Sequence, residues 1–165
     1  MQSAGVEDPY KVAQQAAEFV TKKFGGQHDV LAVLGSGWAH AASVLDATNE
    51  ISVTEIPGFT KPSAIGHGGT LKSVKVGNSR VLLLTGRTHL YEGHGVNAVV
   101  HAVRTAWFAG CKTVVLTNAA GCLRQDWGVG ATAVISDHIN LTGFSPLTGA
   151  DAPAPLHGRF VDLTD

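Results

Sequence analysis

Three hydrogen-bonding side chains follow one apolar segment of the chain and alternate along it. Residues 81–84 are apolar and typical of a buried strand, and Arg87, His89 and Tyr91 come shortly after them. In an extended segment alternate side chains point to the same side, so a guanidinium, an imidazole and a phenol would face one ligand. This set suits a ligand with an anionic end and a hydroxylated end. A polar strand end with solvated charges is the alternative interpretation.

A second candidate anion site is Gly35-Ser36-Gly37, which follows the apolar residues 30–34. Glycines around a serine, between a strand and a helix, let backbone N–H groups and the hydroxyl converge on an anion. The segment is not a dinucleotide fingerprint, because His40 stands where the third glycine would be, and no Gly-Lys-Ser makes it a P-loop. An ordinary tight turn is the alternative.

A third loop, Asn118-Ala119-Ala120-Gly121, follows the apolar residues 113–116, which are expected to form a buried strand. Its small residues allow backbone amides to approach a ligand closely, although a plain strand-exit turn has the same composition. His67 lies in a glycine-flanked loop and could close over a ligand, whereas a solvated loop histidine is the commoner case. Tyr91 could hold a sugar hydroxyl or be an interfacial core residue.

The elements that must position these loops follow from hydrophobic periodicity. Asp8-Pro9 begins a helix that Gly25-Gly26 ends, and residues 96–109 form a second helix whose inner face holds Val99, Val100, Val103, Ala106 and Trp107. Residues 38–45 make a helical turn or two, and Gly77-Asn78 joins a hairpin. Strands are predicted at residues 30–34, 51–56, 71–76, 81–84, 113–116 and 131–136.

Strands that alternate with helices predict an α/β fold with a mixed, largely parallel central sheet flanked by helices. Ligands bind beyond the carboxyl ends of the strands in such sheets, so the three loops should meet. The chain of 165 residues is expected to form one domain. Asp162, Thr164 and Asp165 resemble helix caps, so we expect residues 1–165 to be a single domain whose C-terminal portion is missing.

Composition limits the possible partners and compartment. The formal net charge of −1 disfavours nucleic acid, and only 15% of residues are charged, which favours burial against further copies or further sequence. The two cysteines, Cys111 and Cys122, form neither a disulfide framework nor a C-x-x-C spacing. With no signal-peptide pattern or membrane-length apolar run, the expected location is the cytoplasm.

Other histidines do not indicate a separate site. His89 and His94 lack the spacing and carboxylates of a zinc centre, so no metal is expected. His101 lies in an apolar helix and is interpreted as a core residue. Asp137-His138 could suggest a catalytic dyad, but no G-x-S-x-G motif completes a hydrolase, and neighbours in an extended chain point apart.

Taken together, the loops resemble the trimeric type of purine nucleoside phosphorylase. The matching segments are Val33-Leu34-Gly35-Ser36-Gly37, Gly66-His67, Gly86-Arg87-Thr88-His89-Leu90-Tyr91-Glu92-Gly93, Thr117-Asn118-Ala119-Ala120-Gly121 and Ser136-Asp137-His138-Ile139-Asn140-Leu141, in family order and spacing. The resemblance implies a nucleoside phosphorylase fold. It also implies conversion of a purine nucleoside and phosphate to free base and ribose 1-phosphate, with phosphate as co-substrate and no cofactor.

The resemblance also implies roles for individual residues. Catalysis is expected to depend on His89, Arg87 and His67. Phosphate would be held by Ser36, Arg87, His89 and the backbone of Ala119, with His67 closing over it. Tyr91 would contact the ribose, and Phe160 would cover the ribose of a neighbouring subunit in a homotrimer.

Some features separate this chain from the family or leave alternatives open. Cys122 stands where the family usually has a second glycine. The family's base-recognising residues would lie beyond Asp165, so the purine preference is not defined. Methylthioadenosine phosphorylases are disfavoured, because their Gly-Thr-Gly and Thr-Ala-Cys-Gly variants are absent here. Another nucleoside phosphorylase of the same superfamily is the first alternative. A phosphate- or nucleoside-binding chain without turnover is the alternative of a different class.

Overall fold

A computed structural model describes residues 7–38, 40–60, 69–149 and 151–153. The helices are α1 (Pro9–Phe24), α2 (Ala41–Val44) and α3 (Gly95–Phe108), with single 3₁₀ turns at Val53–Glu55 and Leu90–Glu92. The strands are β1 (Val30–Val33), β2 (Ala47–Ser52), β3 (Thr70–Val76), β4 (Ser79–Leu84) and β5 (Thr113–Leu116).

The five strands form one mixed sheet in the order β2-β3-β4-β1-β5. Strand β1 pairs in parallel with both β4 and β5, whereas β2, β3 and β4 are joined by antiparallel pairs. In this register Val33 lies opposite Leu84 on one side and Leu116 on the other. The carboxyl ends of β4, β1 and β5 therefore lie side by side at one edge. The predicted α/β fold with a mixed sheet is confirmed, although among the described residues two strand pairs are parallel and two are antiparallel, so the sheet is not largely parallel.

Helix α1 begins and ends at the residues that the sequence indicates. The Asp8 side chain accepts a hydrogen bond from the Tyr10 backbone N–H at 2.9 Å, and Pro9 occupies the first turn. Gly25 ends the helix with φ 71°, a left-handed conformation that glycine adopts without a side-chain clash. The predicted turn at Gly77-Asn78 is likewise confirmed, since it joins the antiparallel β3 and β4.

Helices α1 and α3 cover one face of the sheet, and the main core lies between these helices and the sheet. This core contains apolar side chains from both helices and from alternate positions of the strands, including Val20, Phe24, Leu31, Leu82, Leu84 and Ala106. A smaller cluster on the opposite face includes Leu34, Ala42, Val74, Val81 and Leu83. Alternate residues of β4 thus belong to different faces, as strand geometry requires.

Helix α3 buries a different stripe from the one predicted. Among the predicted residues Ala106 is buried, whereas Val99, Val100, Val103 and Trp107 are only partly buried. The most buried polar residues of the helix are His101 and Thr105, one turn apart, and the helix packs against α1. The buried side of α3 depends on the elements that pack against it, including α1. The residue pattern of α3 alone does not reveal those elements.

The interpretation of His101 as a core residue is confirmed. Its Nε2 lies 2.9 Å from the Pro57 carbonyl oxygen, and its ring meets Phe59 edge-on at 4.9 Å. Burial lowers the pKa of His101, so the neutral ring is favoured in this position. Gly58 follows with φ 74°, and an added Cβ there would also press against His101. The turn at Pro57-Gly58 and α3 therefore depend on each other.

Three strand predictions need correction. Residues 51–56 were expected as a strand, but β2 begins earlier and ends at Ser52, where a capping box with Glu55 starts a 3₁₀ turn. Strand β5 was expected to be buried, yet its four residues are exposed. It is an edge strand, and β1 is its strand partner among the described residues. Residues 131–136 are exposed and irregular rather than a strand.

The segment after β5 exposes many large apolar side chains. They include Leu123, Val129, Val134, Ile135, Ile139 and Leu141, each at least two-thirds exposed. High β-propensity predicted a strand here, but a strand needs a partner strand and a packed face to be stable. Among the described residues, no helix is both long and apolar enough to span a membrane.

His28 is the most deeply buried histidine of the described residues, and its burial is expected to make the stability of the fold sensitive to acid. It is 1% exposed, and its Nε2 lies 2.8 Å from Ser73 Oγ. Burial lowers its pKa from 6.5 to about 4, and the nearby Arg80 charge adds to the effect. As the pH falls, His28 therefore takes up a proton at a higher pH in the unfolded chain than in the folded chain. We expect the free energy of unfolding to fall between pH 6.5 and pH 4, by up to roughly 3 kcal/mol from this group.

Chemical denaturation at a series of pH values measures this effect. His28→Gln cannot take up the proton, so its free energy of unfolding should vary less with pH over the same interval. His101 is present in both proteins, and the difference between the two curves therefore isolates His28. Parallel curves for the two proteins would contradict the prediction.

Candidate functional site

The three loops that the sequence indicates meet at Thr117, the first residue after β5. The Thr117 hydroxyl accepts a hydrogen bond from the Gly35 backbone N–H at 2.9 Å and donates one to the Val33 carbonyl at 3.0 Å. The Thr117 carbonyl accepts a hydrogen bond from Arg87 Nη1 at 2.8 Å. The exits of β1, β4 and β5 are therefore tied together at one residue.

Arg87 is half-buried, and its guanidinium is oriented by the bond to Thr117. A guanidinium carries five N–H donors, and the others have no hydrogen-bond partner among the described residues. Its fork geometry suits bidentate binding of a phosphate or carboxylate, which the point charge of a lysine does not reproduce. The site thus offers a fixed cationic donor group at the sheet edge.

Gly35 lies directly against this arginine. A Cβ built on Gly35 would overlap Arg87 Nη1 and the Thr117 carbonyl oxygen, and would lie 2.9 Å from Arg87 Cζ. The absence of a side chain at position 35 is therefore what allows the arginine to reach Thr117. Sequence reasoning treated this glycine as part of an anion-binding turn and missed its steric role.

Ser36 and Ala119 are both exposed on neighbouring loops. The loops approach each other closely, since a Cβ built on Gly37 would lie 3.9 Å from the Ala119 Cβ. Gly37 has φ 87°, and this left-handed conformation turns the chain toward α2. The structure thus places the Ser36 loop beside the Ala119 loop. Arg87 is held at Thr117, where the ends of β1 and β5 meet.

His89 and Tyr91 are adjacent, but for a different reason from the predicted alternation. The chain is extended at His89 and then enters the 3₁₀ turn Leu90–Glu92. The two rings stack at 4.9 Å with an angle of 14° between their planes. His89 is half-buried and Tyr91 is 82% exposed, so the phenol faces open solvent at the rim of the site.

Threonine pairs hold the segment that carries these groups. Thr88 Oγ1 lies 2.7 Å from Thr60 Oγ1, and Thr85 Oγ1 lies 2.9 Å from Thr70 Oγ1. The Thr85 hydroxyl also accepts a hydrogen bond from the Thr70 backbone N–H at 3.0 Å. The connection from β4 to the 3₁₀ turn is therefore anchored to the neighbouring β3 end rather than free.

A small pocket lies beneath Arg87, between the end of β4 and α3. Its volume of about 30 Å³ is lined by Phe59, Thr60, Thr88 and apolar residues of α3, among others. A cavity of that volume has room for about two water molecules, far less than a nucleoside needs. This pocket therefore cannot hold a nucleoside.

Two predicted site residues, His67 and Phe160, lie outside the described residues. Their proposed contacts with phosphate and ribose are therefore not part of this geometry. Within the described ranges no three histidine, cysteine or acidic side chains are grouped as metal ligands. The arrangement at Thr117 brings together a guanidinium, hydroxyls and backbone amides, which are groups that can donate hydrogen bonds to an anion.

Thr117 is the residue that sequence reasoning missed. It belongs to the matched segment of residues 117–121, but its hydrogen bonds depend on the strand order β4-β1-β5. The bond to Gly35 joins residues 82 positions apart, so local spacing could not reveal it. The usable signal was a hydroxyl residue at the exit of an apolar strand.

Comparison with known proteins identifies the family. The phosphorylase superfamily profile matches residues 29–165. The chain is 51% identical to a purine nucleoside phosphorylase of Mycobacterium tuberculosis over 160 residues, covering 96% of this chain and 57% of the relative. It is 47% identical to a purine nucleoside phosphorylase of Cellulomonas sp. over 165 residues, covering 96% and 56%. The chain thus spans little more than half the length of these relatives.

A solved structure agrees with this result. Isoform 2 of purine nucleoside phosphorylase from Schistosoma mansoni, in complex with cytosine and ribose-1-phosphate, superposes with a TM-score of 0.62 at 27% identity. The match covers 69% of this chain and 41% of that one. Fold, strand-end loops and sequence similarity lead to the same conclusion: the chain belongs to the phosphorylase superfamily, within which it resembles the purine nucleoside phosphorylases.

Proposed function

We propose that this chain carries the phosphate- and ribose-binding part of a purine nucleoside phosphorylase. The reaction is phosphorolysis of purine (deoxy)ribonucleosides to free base and (deoxy)ribose 1-phosphate. The observation that carries the proposal is the Arg87 guanidinium, fixed on the Thr117 carbonyl at 2.8 Å beside the Ser36 loop. Sequence identity of 47% or more to enzymes of that name supports it.

In this proposal phosphate binds across the three strand ends. Arg87 supplies charged donors, Ser36 a hydroxyl, Ala119 a backbone N–H and His89 an imidazole. His67, which lies outside the described residues, closes over the anion. Tyr91, stacked on His89 and mostly exposed, contacts the ribose.

The chemistry requires positioning and charge stabilisation. As the N-glycosidic bond breaks, its electron pair leaves with the base and positive charge builds on the sugar. The base takes up one proton, which equals the proton that hydrogen phosphate loses in forming the ester. A phosphate oxygen then forms the new bond to the anomeric carbon. The bound dianion stabilises the developing cation and is also the nucleophile, so the site must hold phosphate in one orientation. Phosphate is a co-substrate, and we propose no metal or other cofactor.

Further parts of the proposal concern partners and compartment. A homotrimer, in which Phe160 covers a neighbour's ribose, would bury apolar surface such as that exposed between residues 123 and 141. We also propose a reducing cytoplasm, a compartment supported by Cys111 and Cys122 both being free thiols.

Release of base from inosine or guanosine by this chain tests the activity. Base release by phosphorolysis requires inorganic phosphate and produces ribose 1-phosphate in equal amount. Calorimetric titration with phosphate, in the same buffer, measures the anion site separately from turnover.

The two measurements separate the alternatives. Phosphate-dependent release supports the phosphorylase. Binding of phosphate without release of base favours a chain that binds but does not turn over. Absence of both would contradict the assignment of the anion site and of the reaction.

A further inference from the structure

Thr117 makes hydrogen bonds with each of the strand exits that form the site. Its backbone N–H and its hydroxyl both donate to the Val33 carbonyl, at 3.1 and 3.0 Å, at the end of β1. The same hydroxyl accepts from the Gly35 N–H at 2.9 Å, and the carbonyl accepts from Arg87 Nη1 at 2.8 Å. One residue thus fixes both the glycine-serine loop and the arginine.

The Thr117 hydroxyl is the group that bridges the Gly35 N–H and the Val33 carbonyl. The bond to the Gly35 N–H is partly buried, and Thr117 Oγ1 is the partner that the described residues provide for that donor. A hydroxyl can donate once and still accept, which allows it to bridge the Val33 carbonyl and the Gly35 N–H. A methyl group in the same place can do neither and would leave the Gly35 N–H unpaired.

We propose that Thr117 is a positioning residue that sets the distance between the Gly35-Ser36-Gly37 loop and the Arg87 guanidinium, and thereby the geometry of the phosphate site. The inference rests on the proposed function for the identity of the anion. The positioning role does not depend on which anion binds, because the Thr117 hydroxyl holds the glycine-serine loop while the Thr117 carbonyl holds Arg87. Thr117 itself does not need to touch the ligand.

Isosteric substitution separates the hydroxyl from the size of the side chain. Thr117→Val keeps the shape and removes both hydroxyl bonds, whereas Thr117→Ser keeps the hydroxyl. Thr113→Val is the matched control, because Thr113 begins the same strand and its exposed side chain lies at the opposite end from the site.

Two measurements are made on all four proteins. Amide hydrogen exchange at Gly35 reports whether its N–H is held, and calorimetry with inorganic phosphate reports the anion site. In Thr117→Val we expect faster exchange at Gly35 and a phosphate Kd raised about tenfold, the size expected for a lost partner of a partly buried N–H. Thr117→Ser should restore both values to within about twofold of wild type.

The outcomes distinguish this inference from the proposed function. Unchanged Gly35 exchange in Thr117→Val overturns the positioning role, as does faster exchange with an unchanged phosphate Kd. Equal weakening of phosphate binding in Thr113→Val also overturns it, because the effect would then reflect general stability. A wild-type chain that binds no phosphate overturns the proposed function, while Gly35 exchange still decides whether the hydroxyl holds the loop.

Discussion

Replacing Gly35 with alanine is expected to remove most phosphate binding, raising the Kd on the order of 100-fold. The added Cβ would overlap both Arg87 Nη1 and the Thr117 carbonyl oxygen, so the guanidinium has to leave its acceptor. A hydrogen bond from a charged group to a bound anion contributes about 1.5–3 kcal/mol to binding. The displaced guanidinium would also no longer be oriented toward the anion. Overpacking should lower the free energy of unfolding by about 1–3 kcal/mol as well.

Calorimetry with phosphate and chemical denaturation measure the two effects. Gly128→Ala is the matched control, because a Cβ built there meets no atom within 4 Å. This control should leave phosphate affinity and stability close to those of the wild-type chain. Wild-type phosphate affinity in Gly35→Ala would contradict the steric role of Gly35.

A double substitution tests whether the arginine is the group that collides. In the Arg87→Ala background the overlap with the guanidinium is gone, and only the overlap with the Thr117 carbonyl remains. Gly35→Ala should therefore destabilise the Arg87→Ala protein less than it destabilises wild type. Additive losses would show that the arginine and the added methyl group do not compete for space.

Local sequence signals were sufficient for the elements whose ends are defined by local chemistry. Asp8-Pro9 and Gly25 define α1, because the capping oxygen, the ring and the left-handed glycine all act within a few residues. The hairpin at Gly77-Asn78 has the same origin, since a tight turn fixes the register of β3 against β4. In each case the partners are neighbours in sequence.

The errors occurred where the partner lies far away along the chain. Strand β5 has the composition of a buried strand, but burial depends on which elements cover it, and its residues are exposed here. Residues 131–136 have high β-propensity without a strand to pair with among the described residues. The buried stripe of α3 is likewise determined by α1, which the pattern of α3 alone does not reveal.

The candidate site combines both kinds of information. The residue types at 35–37, 87–91 and 118–121 indicated an anion and a sugar, and the carboxyl-end rule indicated that the loops should meet. The actual contact between them runs through Thr117, which joins β5 to β1 and to Arg87. Such a contact depends on the parallel register of three strands, and this register is a property of the folded sheet.

Replacing Arg87 with alanine is expected to weaken phosphate binding by about 1.5–3 kcal/mol while changing stability little. The guanidinium is half-buried, and its bond to the Thr117 carbonyl is a small part of the fold. Nucleoside affinity should change much less than phosphate affinity, because the sugar contact is assigned to Tyr91. Parallel titrations with phosphate and with inosine measure the two effects.

Arg80→Ala provides a matched control, since Arg80 is the second residue of β4 and lies at the other end of that strand from Arg87. Its Nη2 donates to the Phe24 carbonyl at 2.7 Å at the end of α1, and its backbone N–H donates to Asp29. Loss of this side chain should lower the free energy of unfolding by about 1 kcal/mol and leave phosphate affinity unchanged. Arg87→Lys should restore only part of the affinity, because lysine keeps the charge but not the fork. Phosphate affinity in Arg87→Ala equal to that of wild type would exclude this arginine from the anion site.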